Sequence, residues 1–387
     1  MKQNKLPLGY IEISKKNLVH NFLSFRKLLP KGMKISAVVK SNAYGHGIEE
    51  VVRILNPYAD YFQINSVEEL ERVRQITKKP ILVLGYVQKG DIRRALKLKP
   101  ILSVFNQQAL RNINKISGEL GIVQRIHLPI DALFGREGFL KDKWEDIFKE
   151  VKKCQNVKLI GLYAHFANIE DKGGITHAKK QVAEYHNALR ALAEKFGFKN
   201  LKTHLSATSG TLAHEIAPYS GKDARPHDIV RIGLGLYGLW PSKHMKKRFG
   251  RRIVLKPVLS WKTKVAQVKE LPKGYTVGYG LTFITRKKMR VAVIPQGYSD
   301  GVSRRLSNNG FVLIKGKRCK ILGRTMMNMF VVNIDHVKGV KTEDEVVIIG
   351  RQGGAEIPIE EMAERIESIN YEVVARLNPL LPKIVKN

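Results

Sequence analysis

The segment AVVKSNAYGHG, residues 37–47, sets one lysine, Lys40, at the end of an apolar run and follows it with a glycine-containing turn. An amine delivered to a strand end and partly desolvated has a lowered pKa, and a neutral amine is what Schiff-base and proton-transfer chemistry needs. Residue type alone decides nothing, because the chain holds 68 Lys and Arg, and a lysine is ordinarily a solvated surface charge. Three further segments bring polar side chains to the ends of apolar runs: GLYAHFA with His165, LKTHLSAT with Thr208, and VRIGLGLYG with Arg231 two residues before Gly233. Taken singly, His165 reads as a hydrogen-bonded core histidine before it reads as a site residue, and Arg231 reads equally as a salt-bridged residue at a barrel end. The run GLGLYG, residues 233–238, fits GxGxxG, but it lies in a strand-like segment and LWPSKHM follows it instead of a helix. A dinucleotide site is therefore rejected.

These residues need a scaffold that gathers strand ends. From about residue 35 to 240, β-rich runs alternate with amphipathic or polar segments, which is the pattern of repeated βα units around a parallel sheet. Eight such runs are counted: 34–40, 60–66, 80–86, 101–106, 123–131, 157–166, 201–208 and 228–238. That number predicts an α/β fold with a closed N-terminal (β/α)8 barrel, whose chemistry sits at the C-terminal ends of its strands. Ser66 with Glu69 forms a capping-box pattern, and the helical stretch from Gly174 ends at Gly197. After residue 250 glycine-broken β stretches follow, with a short helix at IPIEEMAERI, so a C-terminal mainly β domain is expected. The expected division is a barrel over 13–245 and a β domain over 246–387, with residues 1–12 pairing with the latter.

Composition bounds the remaining choices. At 387 residues, with 43% hydrophobic and 26% charged side chains, the chain suits two folded domains, not a disordered protein. MKQNKLPLGYIEIS contains no apolar run of signal-peptide length, and no later run approaches the ~18 apolar residues of a spanning helix. The expectation is a cytoplasmic protein with no membrane partner. Cys154 and Cys319 form no CxxC pair, so no metal site is expected. The formal charge of +34 predicts salt-sensitive attraction to polyanions. Its densest run, KHMKKRFGRR at 243–252, reads as a linker or exposed loop, and no specific nucleic-acid partner is expected.

The Lys40 segment resembles the cofactor-lysine motif of alanine racemases. The resemblance continues in order through IDALFGREG, GLYAHFA, VRIGLGLYG, VGYG, PQGYSDG, GRTMMNM and INYEV, covering nearly the whole chain. It implies a fold-type III enzyme dependent on pyridoxal 5'-phosphate (PLP), interconverting L- and D-alanine and supplying D-alanine for peptidoglycan. By this resemblance Lys40 holds the cofactor as a Schiff base and acts as one catalytic base, while Tyr279 acts as the other. A carbanion reprotonated only from its original side returns the same enantiomer, so racemisation needs a base on each face. The resemblance further assigns His165 and Arg231 to supporting the tyrosine base, and Arg231 to the pyridine nitrogen. It puts Tyr44, Thr208, Gly233, Leu234 and Tyr371 at the cofactor phosphate. Arg136 and the Met327 backbone fall at the substrate carboxylate, and Tyr298 at the substrate entrance. It also implies a homodimer with shared active sites, Tyr279, Tyr298 and Met327 acting on the Lys40 of the other copy.

Three positions depart from the family pattern. Pro129 stands where many members have a lysine, often carbamylated, Asn328 where many have Asp, and Ala207 where an Asn is usual. No carbamate can form on proline, so Arg136 needs another means of support. These departures keep a serine or broad-specificity racemase open, and a non-catalytic PLP-binding protein is the alternative from another class.

Overall fold

The computed structural model describes residues 6–213 and 227–387. The described residues divide into two compact units, one within residues 17–43 and 51–256, the other within residues 1–16, 44–50 and 257–387. The strands in chain order are β1 (Tyr10–Ser14), β2 (Lys34–Val38), β3 (Tyr61–Ile64), β4 (Ile81–Val83), β5 (Ile101–Ser103), β6 (Gln124–Pro129), β7 (Val157–Tyr163), β8 (Lys202–His204) and β9 (Ile229–Ile232). They continue with β10 (Leu259–Lys264), β11 (Gln267–Leu271), β12 (Met289–Ile294), β13 (Phe311–Ile314), β14 (Lys317–Leu322), β15 (Phe330–Asn333), β16 (Glu345–Gln352), β17 (Ala355–Ile357) and β18 (Lys383–Lys386).

Strands β2 to β9 form one parallel sheet in the order β8-β7-β6-β5-β4-β3-β2-β9. Asp228 N–H donates to Thr203 O at 3.0 Å and Arg231 N–H to Ser206 O at 2.9 Å, which joins the last strand to the β8 segment and closes the ring. This is the expected (β/α)8 barrel. Its strands are buried on both faces, as the unbroken burial of β4 and β5 shows, so they read as apolar runs without alternation. Each of the eight predicted runs contains one barrel strand, shorter than the run.

The other unit holds a mainly β sheet ordered β11-β12-β15-β14-β13-β16-β10-β1-β18, with β17 beside β16. Here burial alternates: Leu259, Trp261 and Thr263 of β10 are buried while their neighbours are half-buried. Lys315 and Gly316, both at positive φ, make the two-residue turn of the β13–β14 hairpin. From the N-terminal stretch, β1 pairs with β10 and β18; residues 1–5 lie outside the described residues.

Two local readings are corrected. KHMKKRFGRR is not a loop: Lys243–Phe249 is a helix, capped by the Ser242 hydroxyl and anchored by buried Met245 and Phe249 four residues apart. The division expected at 245/246 falls inside this helix, and the units part at 256/257. GLGLYG is not strand throughout, because β9 ends at Ile232 and Leu234–Tyr237 is a 3-10 turn closed by left-handed Gly238.

Candidate active site

Immediately after β2 the backbone turns left-handed. Ser41, Asn42, Ala43 and Tyr44 have φ between 52° and 55°. Such a conformation costs an L-residue ~1–2 kcal/mol, so the surroundings must hold it. Ala43 N–H donates to Val39 O at 2.8 Å, and Asn42 N–H donates to Glu69 Oε1 at 3.1 Å. Arg72 Nη2 donates to Asn42 Oδ1 at 3.2 Å, and the Ala43 side chain is fully buried. Glu69 is the residue read as half of a capping box. Ser66 does cap Glu69 N–H, but the Glu69 carboxylate takes Asn65 N–H and Asn42 N–H, tying the Lys40 turn to the next βα loop.

Lys40 opens this turn. Burial holds its ammonium below the ordinary lysine range, and Arg136 and Arg231 push the same way against Glu137 and Glu69.

On β9, buried Arg231 uses Nη2 for Ala164 O at 2.5 Å, Leu205 O at 2.7 Å and His165 Nδ1 at 3.3 Å. Its Nε is buried with no acceptor among the described residues. Burial, then Arg231, Arg136 and Lys40, hold the His165 imidazole well below its ordinary pKa. Below Arg231 lies a polar layer that sequence reasoning missed. The guanidinium sits 5.3 Å from the Tyr163 ring centroid, and His204 stacks on that ring at 4.9 Å and 8°. His127 Nδ1 meets His204 Nε2 at 2.8 Å across β7. Gly161 makes room for this, since a Cβ there would stand 2.5 Å from His127 Nε2. Burial pushes His127 down to about 3 and His204 well below its ordinary value, so both rings are neutral.

Arg136 lies in the loop after β6. Asp131 Oδ1 accepts Phe134 N–H at 2.8 Å and Gly135 N–H at 3.0 Å, and Phe139 N–H donates to Pro129 O at 3.1 Å. The guanidinium rests 4.4 Å from the Phe134 ring centroid. Its Nε pairs with Glu137 Oε2, and its Nη2 donates to Glu137 Oε1 at 2.9 Å. Phe134 in turn meets His165 edge-on at 5.7 Å. At the ends of β8 and β9, the Thr208 hydroxyl accepts the N–H groups of Gly233 at 3.3 Å and Gly235 at 3.2 Å, beside buried Leu234.

The barrel unit therefore brings together Lys40, Arg136, His165, Thr208, Arg231, Gly233 and Leu234 at the C-terminal ends of its strands. Its donor set fits PLP: a lysine of lowered pKa, a cation whose buried Nε lacks an acceptor among the described residues, and backbone amides around a hydroxyl. Among the described residues no three His, Cys, Asp or Glu side chains group to hold a metal.

In the other unit, the Tyr44 and Tyr371 rings lie 6.3 Å apart, and burial raises the Tyr44 phenol to about 12. Tyr298 and Met327 come from adjoining turns, with Tyr298 N–H on Met326 O and Ser299 N–H on Met327 O, both at 3.0 Å. Asn328 Nδ2 donates to Ser299 Oγ at 2.9 Å. Tyr279 sits between Gly278 and Gly280, both at positive φ, and is 71% exposed.

Two family models divide the chain between them: the alanine racemase N-terminal domain matches residues 13–241, and the alanine racemase C-terminal domain matches residues 258–385. The chain belongs to the alanine racemase family. Alanine racemase of Leptospira interrogans is 34% identical over 384 residues, covering 97% of this chain and 95% of the relative. Alanine racemase 2 of Bacillus subtilis is 35% identical over 381 residues, with 97% and 93% covered. The crystal structure of alanine racemase from Bacillus anthracis with bound L-Ala-P superposes with a TM-score of 0.89 at 28% identity, covering 99% of this chain and 96% of that one. The function these relatives support is alanine racemisation, and the enzyme class is isomerase. Among the described residues no helix is long and apolar enough to cross a membrane.

Proposed function

We propose that the chain racemises alanine with PLP by a two-base mechanism, Lys40 serving one face of the substrate and Tyr279 the other. The observation that carries the cofactor reading is Arg231 Nε, a buried charged donor without an acceptor among the described residues, near a lysine of lowered pKa. An aromatic ring nitrogen would satisfy that donor, and a guanidinium satisfies it without surrendering its proton. When bound, PLP supplies the electron-withdrawing ring that makes the substrate α-proton acidic.

The chain's own groups account for the remaining work. The Lys40 amine, easier to deprotonate than a surface lysine, both anchors the cofactor and holds or returns a proton at Nζ. Thr208, Gly233 and Leu234, with Tyr44 and Tyr371, hold the phosphate, and Arg136 with the Met327 backbone N–H receives the substrate carboxylate. Tyr298 lines the entrance. Tyr279 is the second base, its phenolate favoured by the hydrogen bond that His165 can donate.

The site is completed by a second copy of the chain. This reading is supported by the exposure of Tyr279 at 71% in one chain, a side chain whose proposed work needs enclosure, and by the exposure of Met327 at 56% on the turn that carries its backbone N–H. The product D-alanine supplies peptidoglycan synthesis in the cytoplasm.

The test is chiral chromatography after incubating protein and PLP with L-alanine, L-serine and L-lysine separately. Racemisation of alanine in preference to the others is expected. No racemisation of any of the three would overturn the proposal, and a preference for serine would reassign the substrate.

A further inference from the structure

Arg136 is already occupied. Glu137 takes its Nε and Nη2 through both carboxylate oxygens, the bidentate arrangement of a guanidinium edge. A guanidinium carries five N–H donors in a planar fork, so this pairing uses one N–H of Nε and one of Nη2. The second Nη2 N–H and both Nη1 N–H groups remain for another acceptor. Arg136 Cζ lies over the Phe134 ring, 4.4 Å from its centroid, while Asp131 fixes the turn that carries Phe134, Gly135 and Arg136.

We propose that Glu137 is a positioning residue: it clamps the Nε–Nη2 edge of the Arg136 guanidinium so that the adjoining Nη1–Nη2 edge is presented to the substrate carboxylate. The proposal rests on the reading of Arg136 as the carboxylate receptor. Three observations favour it over an incidental surface pair. Arg136 is half exposed, so without a partner its long side chain would sample many rotamers, and holding it in advance removes that cost from binding. An ion pair this exposed adds little to folding stability, so its consequence lies in orientation. Pro129 has no side-chain group that could hold the arginine in its place, and its contribution to this loop is the carbonyl that accepts Phe139 N–H. Glu137 also balances charge where Lys40, Arg136 and Arg231 gather, since it opposes the two arginines in setting the Lys40 amine.

The test is calorimetric titration of the PLP-loaded protein with propionate, a carboxylate lacking the amine, alongside thermal melting. Glu137→Leu is expected to weaken propionate binding about 10-fold, and Glu137→Gln, which keeps one acceptor, about 3-fold. Both variants should melt with the wild type and retain PLP equally. In turnover the defect should appear as a raised KM for alanine with kcat changed much less. Propionate binding to Glu137→Leu as tight as to wild type, or tighter, would overturn the proposal, the tighter case marking Glu137 as a competitor of the substrate. A wild type that binds no propionate would overturn both this proposal and the receptor reading of Arg136. A wild type that binds propionate but racemises nothing would overturn only the function.

Discussion

Arg231 Nη2 lies 3.3 Å from His165 Nδ1. A guanidinium only donates, so a hydrogen bond here, shared with the shorter ones to Ala164 O and Leu205 O, requires the tautomer with Nδ1 bare and the ring proton on Nε2. In that tautomer the uncharged ring offers its Nε2 N–H, and it can hydrogen-bond a phenolate without first taking up a proton.

Tyr279→Phe tests what that N–H serves. The variant should keep the visible absorbance of bound PLP while racemisation falls by about 10²–10⁴-fold. Because kcat/KM in the two directions is tied by an equilibrium constant of one, both directions must fall together. The one-sided defect is read instead by α-proton exchange in D2O, retained for one enantiomer and lost for the other. Exchange retained equally for both would remove Tyr279 from the mechanism.

Lys40→Ala removes both anchor and base. Loss of the visible absorbance and a fall in activity of at least about 10³-fold are expected, measured by spectrophotometry and chiral chromatography. Normal turnover would exclude Lys40.

Stability should fall on the acid side before carboxylates titrate. His127, His165 and His204 have folded pKa values below their unfolded ones, His127 at about 3. The unfolded chain then binds more protons below about pH 6.5, so the stabilisation is complete above that pH and is lost as pH falls toward the folded values. Each histidine contributes at most about 1.4 kcal/mol per pH unit to this slope. Urea unfolding between about pH 6.5 and 5 should show it, and His127→Asn should flatten it by about one proton. A flat profile in the wild type would contradict the burial of neutral rings.

Gly235→Ala should cost about 1–3 kcal/mol by overpacking. Its Cβ would stand 2.5 Å from the Phe25 ring and 2.9 Å from Thr208 Cγ2, so the hydroxyl that gathers the Gly233 and Gly235 amides would shift. Weaker PLP retention in equilibrium dialysis should accompany the lower melting temperature. An unchanged affinity for PLP would detach Thr208 from the phosphate.

The barrel strands and the strand-end residues were legible because fully buried parallel strands leave apolar runs, and Lys40, His165 and Arg231 interrupt or end them. What the pattern hid follows from physics as well. Lys243–Phe249 shows only Met245 and Phe249 as apolar anchors among basic residues, too few for a helical period. His127 and His204 are 77 residues apart and meet only because β6 and β8 flank β7 at a glycine. The Arg136–Glu137 pair escaped notice because adjacent side chains diverge in helices and strands; here Gly135 and Gly138, both at positive φ, bend the loop that carries them.

The turn after Lys40 has one more consequence. Ser41 to Tyr44 follow the handedness that D-amino acids prefer, so natural residues are the strained ones there and a mirror-image alanine at position 43 would relieve about 1–2 kcal/mol. The lysine is thus mounted on strained backbone that Glu69, Arg72 and the Val39 carbonyl hold together, and none of these groups is assigned to the substrate.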